Sequence, residues 1–410
     1  MNIPPTILAY GTPPDQTFFS SLIEKTGWGL ALDNGRARDP IFTIYENLAR
    51  ADALVCFPDA HPLHLVTVMA EAEVGHPLIT AERSADGSVL RSKPIVFFGD
   101  ESYWQPFRDI FTLMRSQGLT RDAFDRIAHY TNNLDDAHAY IAANLPTHIP
   151  STRLHYYVHT KREADTENRV RHDVRPPSSV TVACFGSAST KSTDHLQRAE
   201  AVARGLVRQD FNILHGGGAY GVMGELTKAG NRLKGFVKGV TVDAIGAPKI
   251  FFERATGDHI PEEVDHYIAS KDMLHRIESY AGNSQAFVSL DGGVGSTQEI
   301  LVIAELRLEQ HPVVTFTTAD DRRMLKPLWL LNESGIYGPL INYLERRGLS
   351  GLRAEIKVAN SIAELELGLR EFFAAHKPKP ESADEAGKFR TRYGDMPHPT
   401  LPLRPGNAPR

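Results

Sequence analysis

Cysteine is scarce in this chain. Cys56 and Cys184 are the only two among 410 residues, and each lies in an apolar run that reads as a strand. Two thiols buried in strands fit a reducing compartment and argue against a disulfide framework or a cysteine metal site. Long apolar runs are missing as well: none approaches the roughly 20 residues a membrane helix needs. The opening MNIPPTILAYG has no charged segment leading into an apolar one. A soluble, cytoplasmic protein without a membrane partner is expected. Basic runs are also absent, and the net charge is −5 with 17 histidines counted neutral, so nucleic acid is not an expected partner. No glycine loop is followed by Gly-Lys-[Ser/Thr], which disfavours a Walker-type nucleoside triphosphatase. No cluster has metal-ligand spacing, so neither metal nor cofactor is expected.

What is present suits a globular α/β protein. The length favours two domains, and 41% hydrophobic residues suffice for two cores. Residues 1–147 and 180–376 both alternate short apolar runs with helical patterns, the signature of parallel sheets covered by helices. Residues 148–179 are charged, end in Pro-Pro-Ser-Ser and read as a connector. Residues 377–410 carry prolines and charges with few apolar side chains and are expected to be disordered. In the second half the expected strands are Val180–Phe185, Phe211–Leu214, Phe236–Val242, Ala286–Leu290 and Val313–Phe316, with a helix over Thr297–Leu306.

Two glycine loops stand at strand-to-helix junctions. His215–Gly224 holds five glycines, at Gly216, Gly217, Gly218, Gly221 and Gly224. Glycines there let backbone approach a ligand closely, and the following helix offers free N–H groups and a positive dipole end to an anion. The second loop, Asp291–Glu299, contains Gly292, Gly293 and Gly295. Its Ser296 and Thr297 can donate to phosphate oxygens and cap the helix. Glu299 falls about one turn into that helix. Taken alone it is an ordinary first-turn acid, but two phosphate-type loops in one parallel sheet point to a single crevice at its carboxyl edge. Arg276 precedes the second loop on a helical stretch, where it could clamp a phosphate or a sugar hydroxyl, or be a plain surface cation. Ser187, after the first strand, joins the candidate phosphate contacts.

The halves also parallel each other in order. Ile7 onward resembles Val182 onward, the run from Asp52 resembles that from Gln285, and Lys93–Phe98 resembles His311–Phe316. Downstream, Tyr103–Phe107 parallels Ile336–Leu340, and Gln117-Gly-Leu parallels Arg347-Gly-Leu. A duplicated fold is expected. Its first copy is shorter by about one βα unit, since 23 positions separate Gly35 from Pro58 and 73 separate Gly218 from Asp291. Aligning Pro58 with Asp291 puts Asp59, Ala60 and His61 in place of glycines, Val66 opposite Glu299 and Thr43 opposite Arg276. The stretch around Gly35 has no triple glycine. The first copy is therefore expected to be catalytically dead, kept for packing or for binding a regulator.

Taken together, the three elements of the second half resemble the LOG family of nucleotide phosphoribohydrolases, often labelled "possible lysine decarboxylase". Gly216, Gly217, Gly218, Gly221, Met223 and Gly224 match the family's GGGxxGxMG loop. Arg276 matches the arginine of its Met-His-x-Arg-Lys segment, 16 residues before Gly292. Gly292, Gly293, Gly295 and Glu299 match its PGGxGTxxE loop. The resemblance covers roughly 180–375 and implies two Rossmann-like doubly wound domains, the first a shortened copy. It further implies hydrolysis of the N-glycosidic bond of a nucleoside 5′-monophosphate, with Glu299 and Arg276 as catalytic groups. The remaining glycines, Met223, Ser187, Ser296 and Thr297 are then phosphate or substrate contacts. The implied partner is a small nucleotide, in a homo-oligomer or with the fused first half taking a second subunit's place. Three departures mark the chain: Asp291 replaces the proline, Ser296 the threonine, and the histidine is displaced to His275, with Ile277 where lysine is usual. Asp291 adds negative charge beside the expected phosphate site.

Other readings remain open at this level. A nucleotide sensor without turnover keeps the same fold. A dinucleotide-dependent oxidoreductase is suggested by Gly216–Gly221, which fits G-x-G-x-x-G, with Asp243 lying 22 residues beyond Gly221. It leaves the second loop unexplained. A pyridoxal-dependent decarboxylase has no lysine in a recognisable Schiff-base setting. Nothing in the sequence marks the residues that touch the base.

Overall fold

The computed structural model describes residues 6–13, 20, 29–33, 44, 48, 51–74, 80–83, 89–120, 128–145, 165–168, 180–242, 266–270 and 273–379. In the first half these form β1 (Thr6–Tyr10), β2 (Gly29–Asp33), β3 (Ala53–Cys56) and α1 (Pro62–Val74). The hairpin β4–β5 (Thr80–Arg83, Val89–Ser92), β6 (Ile95–Phe98), α2 (Glu101–Ser116), β7 (Ala128–Thr131) and α3 (Leu134–Asn144) follow. The sheet is parallel, in the order β2-β1-β3-β6-β7.

The second half begins with β8 (Asp165–Asn168), β9 (Thr181–Phe185), α4 (Thr193–Arg208), β10 (Asn212–His215) and α5 (Gly221–Arg232). Next come β11 (Val237–Val242), β12 (His266–Ser270), α6 (Met273–Gly282), β13 (Ala286–Ser289) and α7 (Val294–Leu308). The hairpin β14–β15 (Thr315–Thr317, Arg323–Leu325), β16 (Leu328–Leu331), α8 (Gly338–Arg346), α9 (Ser350–Ala354), β17 (Lys357–Ala359) and α10 (Ile362–Ala375) complete it. The sheet runs β17-β16-β13-β9-β10-β11-β12-β8 and is parallel except for β8, which pairs antiparallel with β12. Strands β9 and β13 are buried along their whole length, which explains their unbroken apolar sequences: both faces are covered by helices.

Chain order reverses beside β9, with β10 on one side and β13 on the other. Such a switch point opens a crevice at the carboxyl edge of a parallel sheet. Counting outward from β1 gives the same pattern, β2 on one side and β3, β6, β7 on the other, with no counterpart of β11 and β12 among the described residues.

The halves share one core. Helix α1 packs on α7 and α2 on α8, so Leu63, Val66, Met69, Phe107 and Ile110 are buried in one cluster with Ile300, Leu301, Ala304, Tyr343 and Leu344. Burying each such side chain contributes about 1.5–3 kcal/mol relative to exposure. Polar contacts cross the same seam: Gln298 Nε2 donates to Glu71 at 3.3 Å, and His61 Nε2 lies 3.6 Å from Glu305. Helix α7 is buried nearly all round, its polar side chains included, because its own sheet and the first half cover it.

Three expectations need correction. The run Val313–Phe316 is not a sheet strand. Pro312–Val314 form a 3-10 turn, Thr315–Thr317 pair only with Arg323–Leu325, and the strand beside β13 is β16. The run after Lys93-Pro94 thus corresponds to that after Lys326-Pro327, not to His311. Both lysines are buried and tie the strand entry to carbonyl oxygens: Lys93 Nζ donates to Leu48 at 2.6 Å, Lys326 Nζ to Val313 at 2.8 Å. Part of the presumed connector, Asp165–Asn168, is an edge strand. Finally, Lys377–Lys379 of the presumed tail are bonded to the hairpin through Ala319 N–H and Thr317 O. Residues 380–410, Gly35, Thr43 and Asp243 lie outside the described residues.

Candidate active site

Three loops meet at the switch point, and Ser187 joins them. It follows β9, and its backbone N–H donates to Asp291 O at 3.1 Å while its carbonyl accepts from Val222 N–H at 2.9 Å. One residue therefore ties the second glycine loop to the first turn of α5. Gly221 must follow this course with φ of +59°, and a side chain there would lie 2.2 Å from Ser187 O. No L-residue with a Cβ fits.

The first glycine loop is braced from behind. Arg276 is buried, its Nη2 donates to Gly216 O at 2.7 Å and its Nε to Val240 O at 3.1 Å. Met223 packs below, its sulfur 3.9 Å from the same Nη2. The arginine is therefore not a surface cation, and these bonds hold the turn. His215 completes the brace. Its Nδ1 accepts from Gly217 N–H at 3.1 Å, so Nε2 carries the ring proton and donates to Thr227 Oγ1 at 2.7 Å. Burial, helped by the nearby Arg276 charge, pushes its pKa down to about 3, so the ring is neutral. Gly216, Gly217 and Gly218 are buried, and Gly224 lies in the first turn of α5.

At the second loop the geometry differs from the expectation for two residues. Helix α7 has Gly293 at its N-cap and no side-chain cap. Neither Ser296 nor Thr297 caps it, and Thr297 is fully buried with Oγ1 donating back to Gly293 O at 3.1 Å. Ser296 is buried beside Gly292. Tyr337 closes the floor of this loop. Its hydroxyl donates to Leu290 O and accepts from Ser289 Oγ at 2.6 Å, next to Gly292. Burial raises its pKa, and the charges of Asp291 and Glu299 add to the rise. Glu299, itself buried, thus lies within electrostatic reach of the same floor. Gly295 faces open space.

Asp291, the replacement for proline, is only 2% exposed, and a lone carboxylate there would be costly. It is neutralised: Arg198 Nε, on α4, donates to it at 2.6 Å, and Ser334 Oγ donates to the other oxygen. The negative charge expected beside the phosphate site is paired. Arg198, Ser334, Tyr337 and His215 are contributions that the sequence reading missed. So is the carbonyl of Leu119, in the turn after α2 of the first half. It accepts from Ser187 Oγ at 3.2 Å and from Ser189 Oγ at 3.4 Å, and it abuts Gly293 so closely that a Cβ there would be 2.2 Å away. The first half forms one wall of the crevice.

Three helices begin at this crevice, α4, α5 and α7, and none has a side-chain cap. The positive dipole ends of all three face the crevice, and the first N–H groups of α4 and α7 are left to receive an anion, whereas in α5 Val222 N–H is already bonded to Ser187 O. A parallel sheet with bare helix starts gathered at its switch point defines an α/β protein of the Rossmann-like class. The sequence profile of the family described as possible lysine decarboxylase matches residues 219–360. The cytokinin riboside 5′-monophosphate phosphoribohydrolase of Rhodococcoides fascians is 30% identical over 190 residues, spanning 44% of this chain and 82% of that protein. An Arabidopsis thaliana enzyme of the same name is 29% identical over 205 residues, 48% of this chain and 84% of its own. The chain belongs to this phosphoribohydrolase-like family, the one its loops resemble. Among solved structures, the Moco carrier protein of Chlamydomonas reinhardtii aligns over 48% of this chain and 99% of its own, at 18% identity with a TM-score of 0.35.

Proposed function

We propose that the second half hydrolyses the N-glycosidic bond of a nucleoside 5′-monophosphate. The observation that carries this reading is the gathering of three uncapped helix N-termini around Ser187, with the buried carboxylate of Glu299 one turn inside one of them. The 5′-phosphate binds the free N–H groups of the glycine turns, and this fixed anchor orients the ribose. As the bond to the base lengthens, positive charge grows on the anomeric carbon and its ring oxygen, and Glu299 stabilises it electrostatically. Glu299 also takes a proton from the attacking water. The water oxygen bonds to the anomeric carbon, the base leaves with the bonding pair and a proton, and ribose 5-phosphate remains. Arg276 acts through the turn it braces, and so do His215, Met223 and Tyr337; they are positioning residues. The relatives named above, enzymes that act on a riboside 5′-monophosphate, support the same chemistry.

The first half is, in this reading, a shortened and inactive copy. Its strand order matches that of β10-β9-β13-β16-β17, and its helices α1 and α2 pack on the equivalent α7 and α8 as one subunit packs on another. It supplies the Leu119 wall in the same chain. The domains are then residues 1–147 and 165–379, the second taking in the edge strand β8 and the segment bonded to the hairpin, and the fused pair takes the place of a dimer.

The test is a screen for free base release across nucleoside 5′-monophosphates, with Glu299→Gln as control. Base and ribose 5-phosphate should appear in equal amounts, and the variant should lose nearly all turnover while still binding. Nucleotide binding without base release by the unsubstituted protein would contradict the hydrolase reading and favour a sensor.

A further inference from the structure

The first glycine loop carries one residue that its packing does not explain. From Phe211 to Gly218 every residue is buried, and Val222, Met223 and Gly224 are buried on the other side. Between them Tyr220 is 60% exposed, more than any other large apolar or aromatic side chain among the described residues. Its backbone is held on both sides. Tyr220 O accepts from Gly224 N–H at 3.1 Å, and the neighbouring Val222 N–H is bonded to Ser187 O. Among the described residues no aromatic ring or charged group covers the tyrosine ring. An aromatic side chain is thus fixed at its root, at the N-cap of α5, and left open to solvent at the lip of the crevice.

We propose that Tyr220 is the platform on which the base of the bound nucleotide stacks. This rests on reading the crevice as a nucleotide site. With the phosphate on the glycine turns and the ribose beside Glu299, the base is the part of the ligand that must reach outward, toward the lip. A tyrosine suits that position because its face is apolar, its hydroxyl stays wet and only two torsions are fixed on stacking. Stacking reads ring area and not a hydrogen-bond pattern, so it tolerates different bases. The substrate class implied is broad: purine nucleotides bind more tightly than pyrimidine nucleotides, without strict selection of one base.

The experiment compares affinities for AMP, CMP and ribose 5-phosphate by calorimetry, using full-length Glu299→Gln protein to prevent turnover. Tyr220→Ala and Tyr220→Phe are each introduced into it. Tyr220→Ala should weaken AMP roughly 10- to 100-fold and CMP less, while ribose 5-phosphate, which has no base, changes less than about twofold. Tyr220→Phe should bind AMP nearly as the parent does. Unchanged AMP affinity in Tyr220→Ala overturns the proposal. So does an equal loss for AMP and ribose 5-phosphate, which would make the tyrosine a shaper of the loop. If the parent binds no AMP, the platform and the nucleotide site both fall. If the parent binds AMP with the tyrosine dependence described but the unsubstituted protein releases no base, only the hydrolase reading falls.

Discussion

The two halves start their helices differently. In the first, His61 Nδ1 accepts from Leu63 N–H at the start of α1, Asp100 caps α2 and Asn133 caps α3. In the second, the helices that open on the crevice begin bare. A side chain that satisfies a helix start stabilises the helix and occupies the groups an anion would use. Where Gly292 and Gly293 put no side chain into the second loop, the first half has Asp59, whose carboxylate accepts from Thr12 N–H at 2.7 Å. The comparison teaches that stability and ligand binding compete for the same backbone donors. The first half has committed its donors to itself.

Substitutions at matched positions can break this comparison. The largest effect is expected for Glu299→Gln, which should lower kcat about 10²- to 10⁴-fold with little change in KM. Val66→Gln, at the matched place in α1, should leave kcat of the folded fraction near the parent value while reducing stability, because Val66 is 1% exposed. A loss of kcat there equal to that of Glu299→Gln, with folding intact by circular dichroism, would mean that the first half holds reacting groups.

Next in size is Arg198→Ala. It strands the Asp291 carboxylate at 2% exposure and should cost about 3 kcal/mol in denaturant unfolding. Removing both charges together in Arg198→Ala with Asp291→Ala should restore most of that loss. A double variant as unstable as the single one would show that the pair does not interact as its 2.6 Å contact indicates. Gly293→Ala should cost about 1–3 kcal/mol, since its Cβ meets Leu119 O. Gly295→Ala, with open space around it, should change stability by less than about 1 kcal/mol. Equal costs at the two positions would remove Leu119 from the wall.

The smallest effect is a slope. The pKa of His215 is lowered in the folded protein to about 3 from its ordinary 6.5, so between those values the unfolded chain binds more protons. The contribution of His215 to stability is complete above about pH 6.5 and is lost as pH falls toward 3, by at most about 1.4 kcal/mol per pH unit. His215→Gln should flatten this part of the stability profile between pH 4 and 6. The strand of the first half that stands where β10 does, β2, ends at Asp33 and not at a histidine.

Much of the second half was legible because glycine punctuates it. Unbroken apolar runs ending at Phe185, Leu214 and Leu290 could only be central strands, and the loops after them named the crevice. The run at Val313–Phe316 was misleading because its apolar content is spent on a buried 3-10 turn and a short hairpin. The better signal was the repeated Lys-Pro at Lys93 and Lys326, whose buried amines mark the true strand entry. The walls of the site were not legible. Arg198 reaches Asp291 across 93 residues, and Leu119 reaches Ser187 across 68. No local spacing encodes such contacts; the packing of α2 on α8 and of α4 on α5 and β10 creates them.

The most direct measurement is a crystal structure of the full chain soaked with ribose 5-phosphate. The phosphate should lie against the N–H groups that begin α5 and α7, with the sugar beside Glu299 and no second molecule at Thr12 and Asp59. Density for the ligand in the first half, or at a site away from Ser187 and Glu299, would contradict the division of labour between the halves.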